Sequence, residues 1–309
     1  MPLSKRVPTE KDLRSWLYEK NNWGRWGKDD QKGAINLITA KKRAAAAKLV
    51  KTGRIVSLTR DLATMSAPNN ARPVQHYMKA HQAEGYGSSG DFIGIYFHGY
   101  ANTHIDALSH FWGRDGIYNG GDPKKHITFN GVTWGGIDAW AEGIVTRGVL
   151  IDIPKFRKKF FVTLDAPVHG WELEAAAKAQ GLKLEPGDAL CVYSGREEWQ
   201  RANPGKGYAQ GGPAGQTPGL HASCLEFFKA YDSAVLIWDM MDATPSGYSL
   251  GVPVHGAIFA YGMAFVDNAL LEPLAQVCAQ EKRYDFMVSL APLRLMGGTG
   301  GPINPIALF

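Results

Sequence analysis

Three apolar runs limit what this chain can fold into: "RGVLIDIPKF" from residue 147, "ALCVYSG" from residue 189 and "SAVLIWDM" from residue 233. Each is short, rich in Val, Ile and Leu and bounded by turn-forming residues, so each reads as a buried strand. Between the first two lies "GWELEAAAKAQG", an amphipathic helix that Gly170 precedes and Gly181 terminates, and "HASCLEFFKAYD" forms a second helix before the third run. Helices and strands interleave throughout, which places the chain in the α/β class. No change of composition marks a linker, and neither a repeat of fixed period nor a low-complexity tract is found. The 309 residues therefore read as one elaborated domain over 1–309.

The N-terminal third adds local signals. In "TAKKRAAAAKLVKTG", Thr39 is placed to cap an Ala-rich helix and Gly53 to end it. "RIVSLTRDL" reads as a strand. Residues 65–90, rich in Asn, Gly, Ser and Pro, read as a long loop able to wall a site, with His76 and His81 facing substrate. "EWQRANPGKGYAQGGPAGQTPG" reads as a second Gly/Pro-rich loop, and a third runs up to Pro253.

Composition excludes several functions. Hydrophobic residues make up 45% and charged residues 20%, a globular balance. The net charge of +5 comes from scattered side chains, and "KFRKKF" around Arg157 is too short to track a phosphate backbone, so no nucleic-acid partner is expected. The mild positive field favours a small anionic substrate. Cys191, Cys224 and Cys278 are widely spaced and odd in number, which gives neither a disulfide framework nor a metal knot and predicts packed, reduced thiols. The start "MPLSKRVPTEKDLRSWL" has no apolar core and no run approaches a membrane span, so a soluble cytoplasmic protein is expected.

Chemistry is concentrated in "HGYANTHIDALSHFWG", residues 98–113, which holds His98, His104, Asp106 and His110. In an extended segment the side chains of His104 and Asp106, two residues apart, project from one face as a chelate. Mixed nitrogen and oxygen donors suit Zn²⁺ or Mn²⁺. His98 has the same parity as His104 and joins the set if the glycine-containing turn brings it round. If "DALSHF" turns helically, His110 lies one turn beyond Asp106 and can carry a proton. A lone strand-end histidine is more often a hydrogen-bonded structural residue, but three with an aspartate tip the balance toward a metal. On their own, His255 in "GVPVHGAIF" reads as a helix-start residue and Asp267 in "AFVDNALLEPL" as a helix N-cap. His126 and His169 carry no motif and read as structural. Nucleophilic chemistry is less well supported: no GxSxG elbow is present, Ser109 and Ser194 read as turn and strand-end hydroxyls, and "GGTGGP" lacks the context of a phosphate cradle.

"THIDALSHFW" resembles the signature of the cyclase family of metal-dependent hydrolases, which includes bacterial kynurenine formamidase and isatin hydrolase. "RGVLIDI", "PGDALCVYSGREEW", "TPGLHASCLEF" and "VPVHGAIFAYGMAFVDNALLEPL" resemble later blocks of that family in the same order, so the likeness spans most of residues 33–308. It implies the swivelling β/β/α fold of that family. It implies His104 and Asp106 as metal ligands and His110 as the catalytic histidine. The family's first motif histidine falls at Tyr100 and its glycine at Asn102, so His98 is the expected third ligand and Tyr100 a substrate contact. The family's distal His and Glu, twelve residues apart, correspond to His255 and Asp267, expected to position substrate, stabilise an oxyanion or hold a second ion. Trp112 and His221 are expected at the substrate.

The resulting expectation is a hydrolase of a small amide, cyclic amide or lactone, arylformamidase-like, acting on a carbonyl substrate as a homodimer or homotetramer. Two other readings share the residues: a lyase or isomerase with His110 as a carbon base, and a non-catalytic metal-binding member, for which the changes at Tyr100 and Asp267 leave room.

Overall fold

The computed structural model describes residues 3–208 and 215–309, so positions 209–214 of the loop expected around 198–219 lie outside the described residues. The strands are β1 (Ile55–Ser57), β2 (Gln75–Ala83), β3 (Tyr86–Gly94), β4 (His104–Asp106), β5 (Ile127–Thr128), β6 (Gly131–Val132) and β7 (Ile144–Asp152). They continue with β8 (Ala189–Tyr193), β9 (Val235–Trp238), β10 (Ala264–Asp267), β11 (Asp285–Leu290), β12 (Gly300–Pro302) and β13 (Ile306–Leu308). The α-helices are α1 (Glu10–Arg14), α2 (Ala40–Ala47), α3 (Pro123–His126), α4 (Ile153–Arg157), α5 (Gly170–Ala179), α6 (Arg196–Ala202), α7 (Cys224–Ala230), α8 (Gly256–Tyr261) and α9 (Glu272–Glu281).

Among the described residues nine strands form one mixed sheet in the order β1-β13-β11-β7-β8-β9-β10-β4-β12. The three apolar runs are β7, β8 and β9, which lie side by side in parallel and continue in parallel to β10. Every side chain of β8, β9 and β10 is buried, as expected where helices cover both faces of a parallel sheet. Antiparallel strands extend this centre on both sides: β11, β13 and β1 beyond β7, and β4 and β12 beyond β10. The helix at 170–179 and the one at 224–230 fall where the sequence places them, and they pack on each other. The three cysteines are free and buried.

Three expectations need correction. Thr39 does cap α2, its hydroxyl accepting the Lys42 N–H at 3.2 Å, but the helix stops at Ala47 rather than near Gly53. The chain is drawn away by tertiary bonds, since the N–H groups of Thr52 and Gly53 both donate to the carbonyl of Phe309. Residues 75–94 form a long antiparallel hairpin, β2 against β3, most of which falls in the segment 65–90 read as a loop. Nearly every residue of both strands is exposed, so neither face carries the apolar alternation by which a strand is recognised. Finally, α6 occupies 196–202 and so takes up the first residues of the segment 198–219 read as a Gly/Pro-rich loop.

Candidate metal centre

β4 lies between β10 and β12, one strand in from the edge of the sheet. Alternation along β4 sends His104 and Asp106 to one face, and the antiparallel register sets Asp267 of β10 directly opposite His104. Asp267 is therefore the last residue of a strand and not a helix N-cap. β12 pairs with the other side of β4, with Gly300 opposite Asp106. A side chain at Gly300 would put its Cβ 2.2 Å from the Ile105 carbonyl oxygen and 3.2 Å from His98 Cε1, so glycine there lets the strand close while His98 swings in over Asp106.

Asp106 is the hub. Its Oδ1 is 3.0 Å from His98 Nδ1 and 3.5 Å from His104 Nε2, and its Oδ2 is 3.8 Å from His110 Nε2. His104 Nε2 is also 3.9 Å from Asp267 Oδ2. The donors fall into two groups that share Asp106: His98, Asp106 and His110, and His104, Asp106 and Asp267, each with its ligand atoms within 4.8 Å of one another. Both oxygens of Asp106 and Nδ1 of His98 are buried without a hydrogen-bond partner. A buried carboxylate with neither oxygen bonded is costly. A cation facing those lone pairs relieves that cost, so the donor set fits a borderline divalent ion.

The imidazoles are oriented by their other nitrogens. His104 Nδ1 donates to the Asn102 carbonyl at 2.9 Å, leaving Nε2 bare toward the carboxylates. His98 Nε2 is 3.0 Å from the Thr299 hydroxyl. A single turn, closed by the His110 N–H on the Ala107 carbonyl at 3.0 Å, brings His110 round to stack on His98 with ring centroids 3.8 Å apart. This is one turn and not a helix. The side chains of His98 and His110 are 22% and 26% exposed, against 0–1% for Asp106 and His104, so the cluster is reached from their side.

Electrostatics separates the roles. Burial pushes the Asp106 carboxyl up, but His110, His104 and His98 outweigh it and hold the group below the usual carboxylate range. Burial pushes His110 down to about 4, so it is a neutral base at pH 7. His255 sits at the start of α8, as its sequence suggests, with Nδ1 2.5 Å from Asp242 Oδ2 and Nε2 3.3 Å from Asp267 Oδ2. Burial opposes its charge, yet the two carboxylates outweigh burial and raise its pKa well above the ordinary value, which favours the cation between them. Trp238 Nε1 donates to the other oxygen of Asp267 at 2.5 Å.

The fold thus brings together His98, His104, Asp106, His110, Asp267 and His255. The Tyr100 carbonyl accepts from Arg196, its ring lies 6.2 Å from that of Tyr208, and the residue lines the cavity that reaches His98. Trp112 follows His110 closely and is exposed. His221 is outside the cluster, sharing the Ser223 hydroxyl with His169 and lining a separate cavity of about 220 Å³. His76 and His81 lie on the exposed hairpin. A cavity of about 200 Å³ does reach His98, walled by Asn69, Arg72 and Tyr96, so part of the 65–90 segment borders the site. Sequence reasoning missed Asp242, Trp238, Arg196 and Asn268; the run "WDMMD" after a buried strand was the available signal for Asp242.

Comparison with known proteins agrees with this architecture. The family model for cyclases matches residues 28–244, a span that holds His98, His104, Asp106 and His110 and ends before His255 and Asp267. A crystal structure described as a novel cyclase is 30% identical, with a TM-score of 0.80, covering 94% of this chain and 99% of that one. The chain belongs to the cyclase family. Isatin hydrolase A from Ralstonia solanacearum shares the fold at 17% identity and a TM-score of 0.57, covering 87% of this chain and 97% of its own. An isatin hydrolase bound to the product analogue thioisatinate does so at 14% identity and 0.58, covering 88% and 99%. No curated protein sequence matches the chain significantly. Among the described residues no helix is long and apolar enough to cross a membrane.

Proposed function

We propose that this chain is a metal-dependent hydrolase that opens or cleaves a small amide, cyclic amide or lactone, arylformamidase-like in its reaction. The observation that carries the reading is the buried Asp106 carboxylate, with both oxygens unbonded and histidines on several sides. Shared architecture with the isatin hydrolases supports it. In this reading a divalent ion, Zn²⁺ or Mn²⁺, is held at Asp106 by His104 and His98, with Asp267 in reach, and Asp106 is common to both donor groups if two ions bind. When bound, the ion supplies Lewis acidity toward water and the substrate carbonyl.

The chain's own residues do the rest. His110 Nε2, neutral at pH 7 and on the accessible side, takes a proton from the attacking water and passes it to the leaving nitrogen or oxygen. His255, protonated between Asp242 and Asp267, offers positive charge to the oxyanion that develops on the carbonyl. Trp112, exposed beside His110, and the residues walling the His98 cavity border the substrate. The net charge of +5 favours an anionic substrate. The exposed Tyr77, Met78, Tyr86, Phe92 and Ile93 of the hairpin support self-association as a homodimer or homotetramer, which sedimentation would check against a monomer.

Metal analysis of the purified protein with turnover of an amide and lactone panel in ¹⁸O-labelled water tests this function. One or two divalent ions per chain, loss of activity to chelators and label in the product are expected. Full activity after the metal is shown to be gone would overturn it, and metal-dependent turnover without label would make the protein a lyase or isomerase.

A further inference from the structure

Behind the cluster lies a buried polar network that the proposed chemistry does not use. Arg196, 1% exposed, opens α6. The turn that delivers it is pinned, because the N–H groups of Ser194, Gly195 and Arg196 all donate to the Asp239 carboxylate at 2.8–3.0 Å. The guanidinium donates to Asn268 Oδ1 at 2.6 Å, to the Asp239 carbonyl at 3.2 Å and to the Tyr100 carbonyl. Asn268 directly follows Asp267 and has φ +56°, a left-handed conformation that Asn accepts more readily than most residues. Its Nδ2 donates to the carbonyls of Gly99 at 2.7 Å and Asn102 at 3.1 Å. The amide can sit only one way round, because the guanidinium offers only donors and the carbonyls only acceptors. The Thr103 hydroxyl also donates to the Asn268 carbonyl at 2.8 Å.

The Asn102 carbonyl held by Asn268 is the one that accepts from His104 Nδ1. A neutral imidazole carries one N–H, and two partners compete for its position. The Asn102 carbonyl draws it to Nδ1, while Asp106 and Asp267, 3.5 and 3.9 Å from Nε2, draw it there. A proton on Nε2 would remove the lone pair that faces the two carboxylates. We infer that Arg196 and Asn268 are positioning residues that hold the Asn102 carbonyl on His104 Nδ1 and so keep Nε2 free as a metal ligand. The inference rests on the metal-centre reading for its purpose, but the tautomer itself is a property of the metal-free chain. The charge on Arg196 also polarises the Asn268 amide, strengthening the donors that grip the 99–102 loop.

The test uses the full-length protein. In the metal-free wild type, long-range ¹H–¹⁵N correlation, recorded at a pH where the His104 ring is neutral and with His104 assigned by its loss in His104→Gln, is expected to show the N–H on Nδ1 and Nε2 bare. Asn268→Gly removes the amide while tolerating the positive φ, and Arg196→Lys keeps the charge but cannot reach three acceptors. Both are expected to populate the Nε2-protonated form and to weaken Mn²⁺ or Zn²⁺ binding by calorimetry roughly 10–100-fold. The turnover lost should return at saturating metal. If Arg196→Lys does not fold, Asn268→Gly decides alone. An unchanged His104 tautomer in Asn268→Gly overturns the inference. A wild type that binds no divalent ion overturns the proposed function instead, and the tautomer shift still decides the role of the clamp.

Discussion

Asp106 differs from the other carboxylates of the site in having no hydrogen-bond partner outside the cluster's imidazoles, whereas Asp267 accepts from Trp238 and lies against His255. Removing either His104 or Asp106 deletes a donor atom that neighbours cannot replace. His104→Ala and Asp106→Ala are therefore expected to lose bound metal and activity together, measured by metal analysis beside turnover. His110 is expected to behave differently. As a proton carrier it contributes to the reaction and not to affinity, so His110→Ala should keep its metal and lower kcat by roughly 10²–10⁴, with partial rescue by imidazole. Because His110 also stands in a donor group with His98 and Asp106, loss of metal in His110→Ala to the extent seen in His104→Ala would make it a ligand and move the proton step to His255. The same measurement separates His98 from Tyr100: His98→Ala should weaken metal binding, and Tyr100→Phe should not, since His98 Nδ1 stands 3.0 Å from Asp106 Oδ1 within a donor group that does not include Tyr100.

At the scale of elements, the site depends on β4 being held between two antiparallel neighbours in one register. This explains which parts were legible in the sequence. His98, His104, Asp106 and His110 lie within thirteen residues, so strand parity and one turn suffice to gather them. His255 and Asp267 needed a family resemblance, because their approach depends on the register of β10 against β4. Arg196, Asp242 and Asn268 stand at strand ends far apart in sequence, where no periodicity marks them, and the exposed hairpin β2–β3 lacks the buried face that would have revealed it. The register offers its own test at Gly300. A methyl group there meets the Ile105 carbonyl, a backbone atom that cannot turn aside, so β12 must separate from β4. Gly300→Ala is expected to cost about 1–3 kcal/mol of stability by overpacking and to weaken metal binding through His98. Unchanged melting and unchanged affinity would show that the strand shifts freely.

For the whole molecule, the parallel centre of the sheet is tied to its covering helices by polar joints as well as apolar packing. One joint lies where the segment before α5 meets the segment before α7: His221 N–H donates to the Val168 carbonyl at 2.8 Å, and His169 and His221 share the Ser223 hydroxyl. Burial pushes His221 down to about 4, with His169 adding to the effect, and burial lowers His169 as well. Both imidazoles are thus disfavoured as cations in the folded state. Above the ordinary histidine pKa neither state binds these protons and stability does not depend on them. As pH falls below about 6.5 the unfolded chain takes up protons that the folded chain refuses, so stability declines, and the decline levels off only when the folded His221 protonates near 4. Thermal unfolding, followed with chelator present so that metal release does not contribute, should therefore show a midpoint that drops between pH 7 and pH 5. His221→Gln cannot take a charge, so its midpoint should fall less on acidification. Equal falls in wild type and variant would remove His221 as the source.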